Sequence, residues 1–163
     1  MPVTEAEREP AAYELAYHVL PTVAEGEVAG VTAELKALIT QAGGSITDEE
    51  EAKRFELAYE IKKYLEGKYR RFSSAYFGWV RFTLPAGNLP AVTEDVEAHK
   101  VILRSLVIRL TKAEAENPFR FHDALVDTKL RTITEEDIAS DEVVADEEVP
   151  LEVGDEVVEE VVK

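Results

Sequence analysis

Cysteine is absent from this chain of 163 residues. That absence excludes disulfide bonds, thiolate metal sites and cysteine nucleophiles. The sequence also lacks a run of about 20 apolar residues, which a membrane-spanning helix requires. Its first ten residues carry three Glu and one Arg, unlike either a secretory signal or a transit peptide. We therefore expect a cytosolic protein.

Motifs for catalysis are missing as well. The three histidines, His18, His99 and His122, are too far apart in sequence to form a short-spaced metal-binding pair. No serine lies in a nucleophile-elbow or Ser-x-x-Lys context, and no Gly-rich phosphate loop precedes a helix. The acidic run at 48–51 lacks the alternating spacing of a calcium loop, so we interpret it as a solvated turn. The sequence predicts a protein that is not an enzyme and has no metal or cofactor site.

Charge is distributed unevenly along the chain. The formal net charge is -16, yet residues 52–112 carry 12 basic and 6 acidic side chains. Residues 113–163 carry 17 acidic and 4 basic side chains. A basic middle followed by an acidic tail is typical of a protein with a cationic contact surface. An ordinary solvated surface has the same counts, so charge alone leaves both interpretations open.

Alternating apolar residues in the first two segments, and aromatic or β-branched runs in the last two, predict four strands in the first 112 residues. A turn predicted at Glu66-Gly67 joins the second and third strands into a long hairpin, and the acidic run interrupts the second strand. The predicted strands are Tyr13–Leu20, Ser45–Thr47 continuing at Phe55–Ile61, Phe72–Leu84 and Val101–Leu110.

Two helices are predicted between these strands. The first follows a capping-box pattern at Thr22 and Glu25 and ends at Gly43-Gly44. The second covers Leu89–His99, with Pro90 suited to its first turn. The order strand, helix, strand, strand, helix, strand predicts an α+β, ferredoxin-like β-α-β-β-α-β fold. In that fold a four-stranded antiparallel sheet carries two helices on one face.

The other face of such a sheet is left open. The third and fourth predicted strands are apolar in both registers, so this face should carry exposed apolar side chains. A contiguous exposed apolar patch usually marks a partner site. Alternatively, the C-terminal extension folds back and covers the patch.

The chain is predicted to have three parts. Residues 1–10 are a flexible N-terminal arm, and residues 11–112 form the ferredoxin-like domain. Residues 113–163 are an acidic C-terminal extension that we expect to be largely disordered when free. Apolar residues between Phe119 and Ile133 would allow part of it to order against a partner, and its Val-Val runs would allow a strand.

Five segments, in order, resemble the bacterial ribosomal protein S6 family. The resemblance spans residues 11–112, with a hairpin longer than is usual in the family. The segments are Tyr13-Glu14-Leu15 with His18 and Pro21, Gly43-Gly44-x-Ile46, Leu57-Ala58-Tyr59-x-Ile61-x-Lys63, Ala75-Tyr76-Phe77 and Leu103–Arg109.

The resemblance implies a structural constituent of the small ribosomal subunit, located in the cytoplasm. It also implies binding to small-subunit ribosomal RNA together with ribosomal protein S18. Candidate RNA-binding residues are the cations Lys53, Arg54, Lys62, Lys63, Lys68, Arg70, Arg71 and Arg104. Candidate residues of the protein-partner interface are Phe77, Trp79, Arg81, Leu106, Ile108 and Arg109.

An alternative from another class is a regulatory ferredoxin-like domain that homodimerises through its sheet and binds a small metabolite. A stable homodimer that ignores RNA and protein S18 would favour it. Aromatic residues on such a sheet can also stack unpaired bases, but the consensus of RNA-recognition-motif domains is missing. An acylphosphatase-like enzyme would need an Arg in a Gly-rich loop after the first strand, where this chain has Pro21-Thr22-Val23-Ala24.

Overall fold

The computed structural model describes residues 9–128. Most of the predicted N-terminal arm and residues 129–163 of the acidic extension lie outside the described residues. The elements are β1 (Pro10–Val19), α1 (Glu25–Gln41), β2 (Ser45–Leu65), β3 (Lys68–Pro85), α2 (Leu89–Ala98), β4 (Ile102–Arg109) and α3 (Lys112–Glu116). Contacts divide the chain into two units, and the second, which begins at Phe121, includes a helical segment at 121–128.

The four strands form one antiparallel sheet in the order β2-β3-β1-β4. This order confirms the predicted ferredoxin-like fold. Residues directly opposite each other on neighbouring strands share a face, so Leu15 of β1 and Val80 of β3 point the same way. Helices α1 and α2 pack on that face and bury it.

The core follows the period-two pattern of β1. Tyr13, Leu15, Tyr17 and Val19 are all buried, and they pack with α1 residues such as Leu35. The Tyr17 hydroxyl lies 2.8 Å from Oγ1 of Thr32 on α1, which satisfies a polar atom inside the core. Burial raises the pKa of Tyr17 to about 12, because the charged phenolate would have to form away from water.

The start of α1 differs from the prediction. The helix begins at Glu25 behind Ala24, which makes no side-chain cap, so the predicted capping box at Thr22 is wrong. Backbone bonds replace it: the Val23 amide donates to the Leu20 carbonyl at 3.2 Å and forms a turn before the helix. The end of α1 is as predicted, since Gly43 adopts a φ of 90°.

Strand β2 also differs from the prediction, because the acidic run at 48–51 is part of it. The strand is continuous and keeps its pairing with β3 through three register irregularities, after Ile46, Glu50 and Glu56. The solvated turn predicted there is therefore wrong. Bulges of this kind admit extra residues without ending a strand, and they bend and twist it.

The hairpin of β2 and β3 extends past the rest of the sheet. Pairing of β3 with β1 ends at Tyr76, so residues 55–75 form a two-stranded ribbon, which we call the arm. The predicted turn at Glu66-Gly67 is confirmed as a two-residue loop with φ values of 51° and 82°. Positive φ at both positions matches the twist of a tight hairpin. A second apolar cluster, which includes Leu20, Ile61 and Phe72, packs at the base of the arm.

The tightness of packing at the bulge of β2 can be tested by a substitution at Gly78 of β3. A Cβ at this position would lie 2.9 Å from the Glu50 carbonyl oxygen and 3.0 Å from the Cα of Ala52, so the bulge would have to shift. We expect Gly78→Ala to lower the free energy of unfolding by about 1–3 kcal/mol in urea denaturation.

The matched control is Gly30→Ala in α1, where a Cβ would meet nothing within 4 Å. Alanine is the better helix former, so this change should raise the free energy of unfolding by about 0.5–1 kcal/mol. Equal stability of the Gly78→Ala protein and the wild type would show that the bulge is not tightly packed.

Candidate nucleic-acid and protein interfaces

The register of the arm sorts its basic residues onto two faces. Lys62 pairs with Arg71, and Tyr64 pairs with Tyr69; these four exposed side chains form what we call the outer face. Lys63 pairs with Arg70 on the opposite face, beside the buried Ile61. Tyr64 and Tyr69 were not among the sequence candidates, although a two-residue turn at 66–67 would have paired them.

Some candidate RNA-binding cations have partners within the chain. Lys63 donates to the Ile102 carbonyl, and partial burial lowers its pKa below the usual value, so it fixes the arm to β4. Arg70 and Glu66 form an ion pair at 3.0 Å, and Arg71 and Glu60 form one at 3.6 Å. Exposed pairs of this kind contribute little to stability, so both arginines remain available to phosphate.

The remaining candidates lie at the base of the arm and along its length. Lys53, Lys62 and Lys68 are exposed. Arg54 donates to Oγ of Ser74 at 3.2 Å, and Arg104 donates to the Tyr59 hydroxyl at 3.0 Å. The arm, residues 55–75, carries five basic and three acidic side chains, and Lys53 and Arg54 add two more cations at its base, so this is a cationic part of an acidic protein.

Residues 111–120, which we call the strap, cover one half of the open sheet face. Thr111 caps α3 through a capping box with Glu114. Arg81 of β3 pairs with Glu14 of β1 at 2.7 Å and donates to the Glu114 carbonyl at 2.6 Å. These contacts hold α3 of the strap against the open face.

The end of the strap is held by Arg120. Its guanidinium donates to both carboxylate oxygens of Asp48, at 3.0 and 2.9 Å, and to the Glu49 carbonyl at 2.7 Å. It also lies 5.0 Å from the ring centre of Trp79, and Arg81 lies 5.2 Å from the same ring centre. Such cation–π contacts are strongest where water is excluded.

The strap covers two of the residues that were predicted to contact a protein partner. Trp79 is 3% exposed and Arg81 is 6% exposed, so both are buried within the chain's own structure. The alternative that the C-terminal extension folds back therefore applies to this half of the open face. Sequence patterns could not reveal it, because Arg120 and Asp48 are 72 residues apart.

The other half of the open face is apolar, and within residues 9–128 two of its large side chains are exposed. Leu106 is 63% exposed and Ile108 is 43% exposed. Beside them the rings of His18, Phe55 and Phe77 form a cluster with centres 5.2 to 5.9 Å apart.

This half carries two cations: Arg104, which pairs with His18 across the β1–β4 ladder, and Lys53, which pairs with Phe77 across the β2–β3 ladder. Burial, and then the charge of Arg104, lowers the pKa of His18 below its usual value. Arg109 instead pairs with Tyr13, whose side chain is in the core, so it lies on the helix side of the sheet. The sequence analysis grouped Arg109 with Leu106 and Ile108, but the register separates it from them.

Neither a metal-binding cluster nor a membrane-spanning helix is found in the described part of the chain. Among residues 9–128, no group of three His, Asp or Glu side chains is arranged to hold a metal ion. Over the same residues, no helix combines the length and the apolar character needed to cross a membrane.

Comparisons with known proteins point to one family. The sequence model of the family described as Ribosomal protein S6 matches residues 12–109. A small ribosomal subunit protein bS6 from Acidobacterium capsulatum is 40% identical over 57 residues, which are 35% of this chain and 40% of that relative. The protein of the same name from Lactobacillus acidophilus is 29% identical over 103 residues, which are 61% of this chain and 95% of that relative.

A solved structure has the same fold. The crystal structure of 30S ribosomal protein S6 from Thermotoga maritima superimposes with a TM-score of 0.54. The match has 20% sequence identity and covers 76% of this chain and 99% of the other.

The contact between Arg120 and Trp79 can be tested with the chain's single tryptophan. We expect Arg120→Ala to release the strap and expose the indole ring to water, so that the fluorescence emission of Trp79 shifts to longer wavelength. Arg109→Ala, which removes an exposed arginine on the other face of the sheet, should leave the emission unchanged. An unshifted spectrum of the Arg120→Ala protein would mean that Arg120 does not hold the strap in place.

Proposed function

The chain belongs to the ribosomal protein S6 family, and on that premise we propose that it binds small-subunit ribosomal RNA together with ribosomal protein S18. The matched relatives are structural proteins of the small ribosomal subunit, so the chain is a ribosomal protein and not an enzyme. The observation that carries the proposal is that the fold leaves two different exposed surfaces, a cationic arm and an apolar half of the sheet.

The arm is the proposed RNA-binding surface. Its exposed cations, Lys62, Lys68 and Arg71, with Lys53 and Arg54 near its base, are spaced along one ribbon that extends past the sheet. Lysine and arginine side chains in such a row contact phosphates and give affinity without reading the base sequence. Each phosphate contact releases condensed counterions, so binding should weaken steeply as salt increases.

The apolar half of the open face, with its exposed Leu106 and Ile108, is the proposed contact for protein S18. Leu106 and Ile108 offer exposed apolar area, and Arg104 adds a charged anchor of the kind that is enriched in interfaces. Burying this patch against another protein removes apolar surface from water, which favours association. Trp79 and Arg81 are left out of the proposed contact, because the strap already covers them.

The role of the arm can be tested by neutralising two of its lysines. We expect the double variant Lys62→Gln, Lys68→Gln to bind small-subunit ribosomal RNA more weakly in the presence of protein S18. The plot of log affinity against log salt should become shallower by about two, one for each lost phosphate contact. Titrations of the full chain at several salt concentrations measure both quantities.

The control is Arg109→Gln, Lys112→Gln, which removes the same amount of charge outside the arm. If this control weakens binding as much as the arm variant, net charge matters rather than the arm. An arm variant with an unchanged salt slope would argue against phosphate contacts by Lys62 and Lys68.

The proposed protein contact can be tested by placing charge on the apolar patch. We expect Leu106→Asp, Ile108→Asp to lower the affinity for protein S18 by at least about tenfold, which corresponds to 1.4 kcal/mol. The control Ala33→Asp, Ala37→Asp adds the same charge at exposed positions of α1 and should bind normally. Calorimetry with purified S18 measures the affinities, and circular dichroism verifies folding.

The same proteins also test the regulatory alternative. If the wild type sediments as a homodimer that ignores S18 and RNA, and the Leu106→Asp, Ile108→Asp variant sediments as a monomer, the sheet serves self-association and the proposal is wrong.

A further inference from the structure

We propose that Tyr64 and Tyr69, near the tip of the arm, form a stacking platform for an unpaired base of RNA, with Lys62 and Arg71 contacting the adjacent phosphates. This inference rests on the proposed RNA binding but goes further. It assigns base contact to two residues that the fold itself does not need on that face.

The two tyrosines form a cross-strand pair directly beside the turn. They lie opposite each other in the β2–β3 ladder, and their ring centres are 5.1 Å apart with the planes at 66°. Tyr64 is 59% exposed and Tyr69 is 74% exposed. The rings meet edge to face, so neither ring covers the other completely. Aromatic surface therefore remains open to a ligand.

The apolar packing of the arm does not account for these rings. The buried side chains of the ribbon, Ile61 and Phe72, pair on the opposite face and join the cluster at the base of the arm. Lys63 fixes that same face to β4 through the Ile102 carbonyl. Among residues 9–128, the four side chains of the outer face are exposed and lie outside both apolar clusters.

Charge next to the rings favours a nucleic acid over an apolar protein surface. Lys62 and Arg71 form the adjacent pair on the outer face, two residues along each strand from the tyrosines. Two residues of strand span about 6.6 Å, so a base on a tyrosine would bring its phosphate within reach of a long cationic side chain. The exposed contact of Arg71 with Glu60, at 3.6 Å, is too weak to prevent this.

The geometry of the turn fixes which residues of the two strands lie opposite each other. Glu66 and Gly67 form a two-residue loop with positive φ at both positions, which fixes the register that pairs the tyrosines. A side-chain pair that is already ordered loses little entropy when it binds. Stacking of a base on an aromatic side chain contributes about 1–3 kcal/mol and tolerates any sequence.

The test compares two double variants of the full chain. Tyr64→Leu, Tyr69→Leu keeps apolar bulk but removes the rings, and Tyr64→Phe, Tyr69→Phe keeps the rings. The probes are an oligoadenylate carrying one 2-aminopurine, whose fluorescence is quenched when it stacks, and an RNA duplex of the same length.

We expect the leucine variant to bind the oligoadenylate about 5- to 100-fold more weakly and to lose the quenching, whereas the phenylalanine variant keeps both. Duplex affinity, the salt slope and S18 affinity should not change. Oligoadenylate binding and quenching equal to wild type in the leucine variant would overturn the stacking site while leaving the phosphate contacts intact. Loss of S18 affinity in that variant would identify the tyrosines as a protein contact.

If the wild type binds neither RNA and the arm variant shows no change with small-subunit ribosomal RNA, the proposed RNA binding fails and the stacking site fails with it.

Discussion

Two helices can cover only one face of a four-stranded sheet, and the features of this protein outside its core follow from that constraint. The alternation in β1 supplies the covered face, where Leu15 and Tyr17 pack under α1. The same alternation sends every other side chain to the open face, where β3 and β4 remain apolar. The strap covers one half of the open face, and its Arg120 contacts both Trp79 and Asp48. The other half keeps the exposed apolar side chains Leu106 and Ile108.

The uneven distribution of charge explains how a protein with a net negative charge can carry a cationic surface. Net charge describes the chain as a whole, whereas binding depends on the potential at one surface. The arm extends the second and third strands past the sheet, so its cations lie on a ribbon bordered by few acidic side chains. The apolar patch and the arm are carried by one sheet, so the two proposed contacts lie on different parts of the same domain.

The parts of the fold that sequence could predict are those governed by neighbouring residues. The period of β1, the glycines after α1 and the tight turn at Glu66-Gly67 are local signals, and the structure agrees with them. Thr22 was misread because a capping pattern competes with backbone turns that depend on where β1 ends. The acidic run was misread as a turn because its pairing with β3, through bulges, is decided by a strand 30 residues away in sequence.

The candidate site was less predictable for the same reason. Alternation alone could have placed Arg109 on the opposite face from Leu106 and Ile108, and a two-residue turn could have paired Tyr64 with Tyr69. No local pattern indicates that Arg120 would reach Trp79, since that contact joins a helix-ending segment to the middle of the sheet. Burial of Trp79 and Arg81 is thus a property of the tertiary structure.

The strap also moves the edge of the folded domain. The family match ends at residue 109, with the last strand, but the hydrogen bonds of Arg81 and Arg120 continue to residue 120. A fragment cut after β4 would retain every strand and both main helices, yet it would expose an indole ring and leave Asp48 without its arginine. Such a fragment should be prone to aggregate, and an expression boundary for this domain belongs after Arg120.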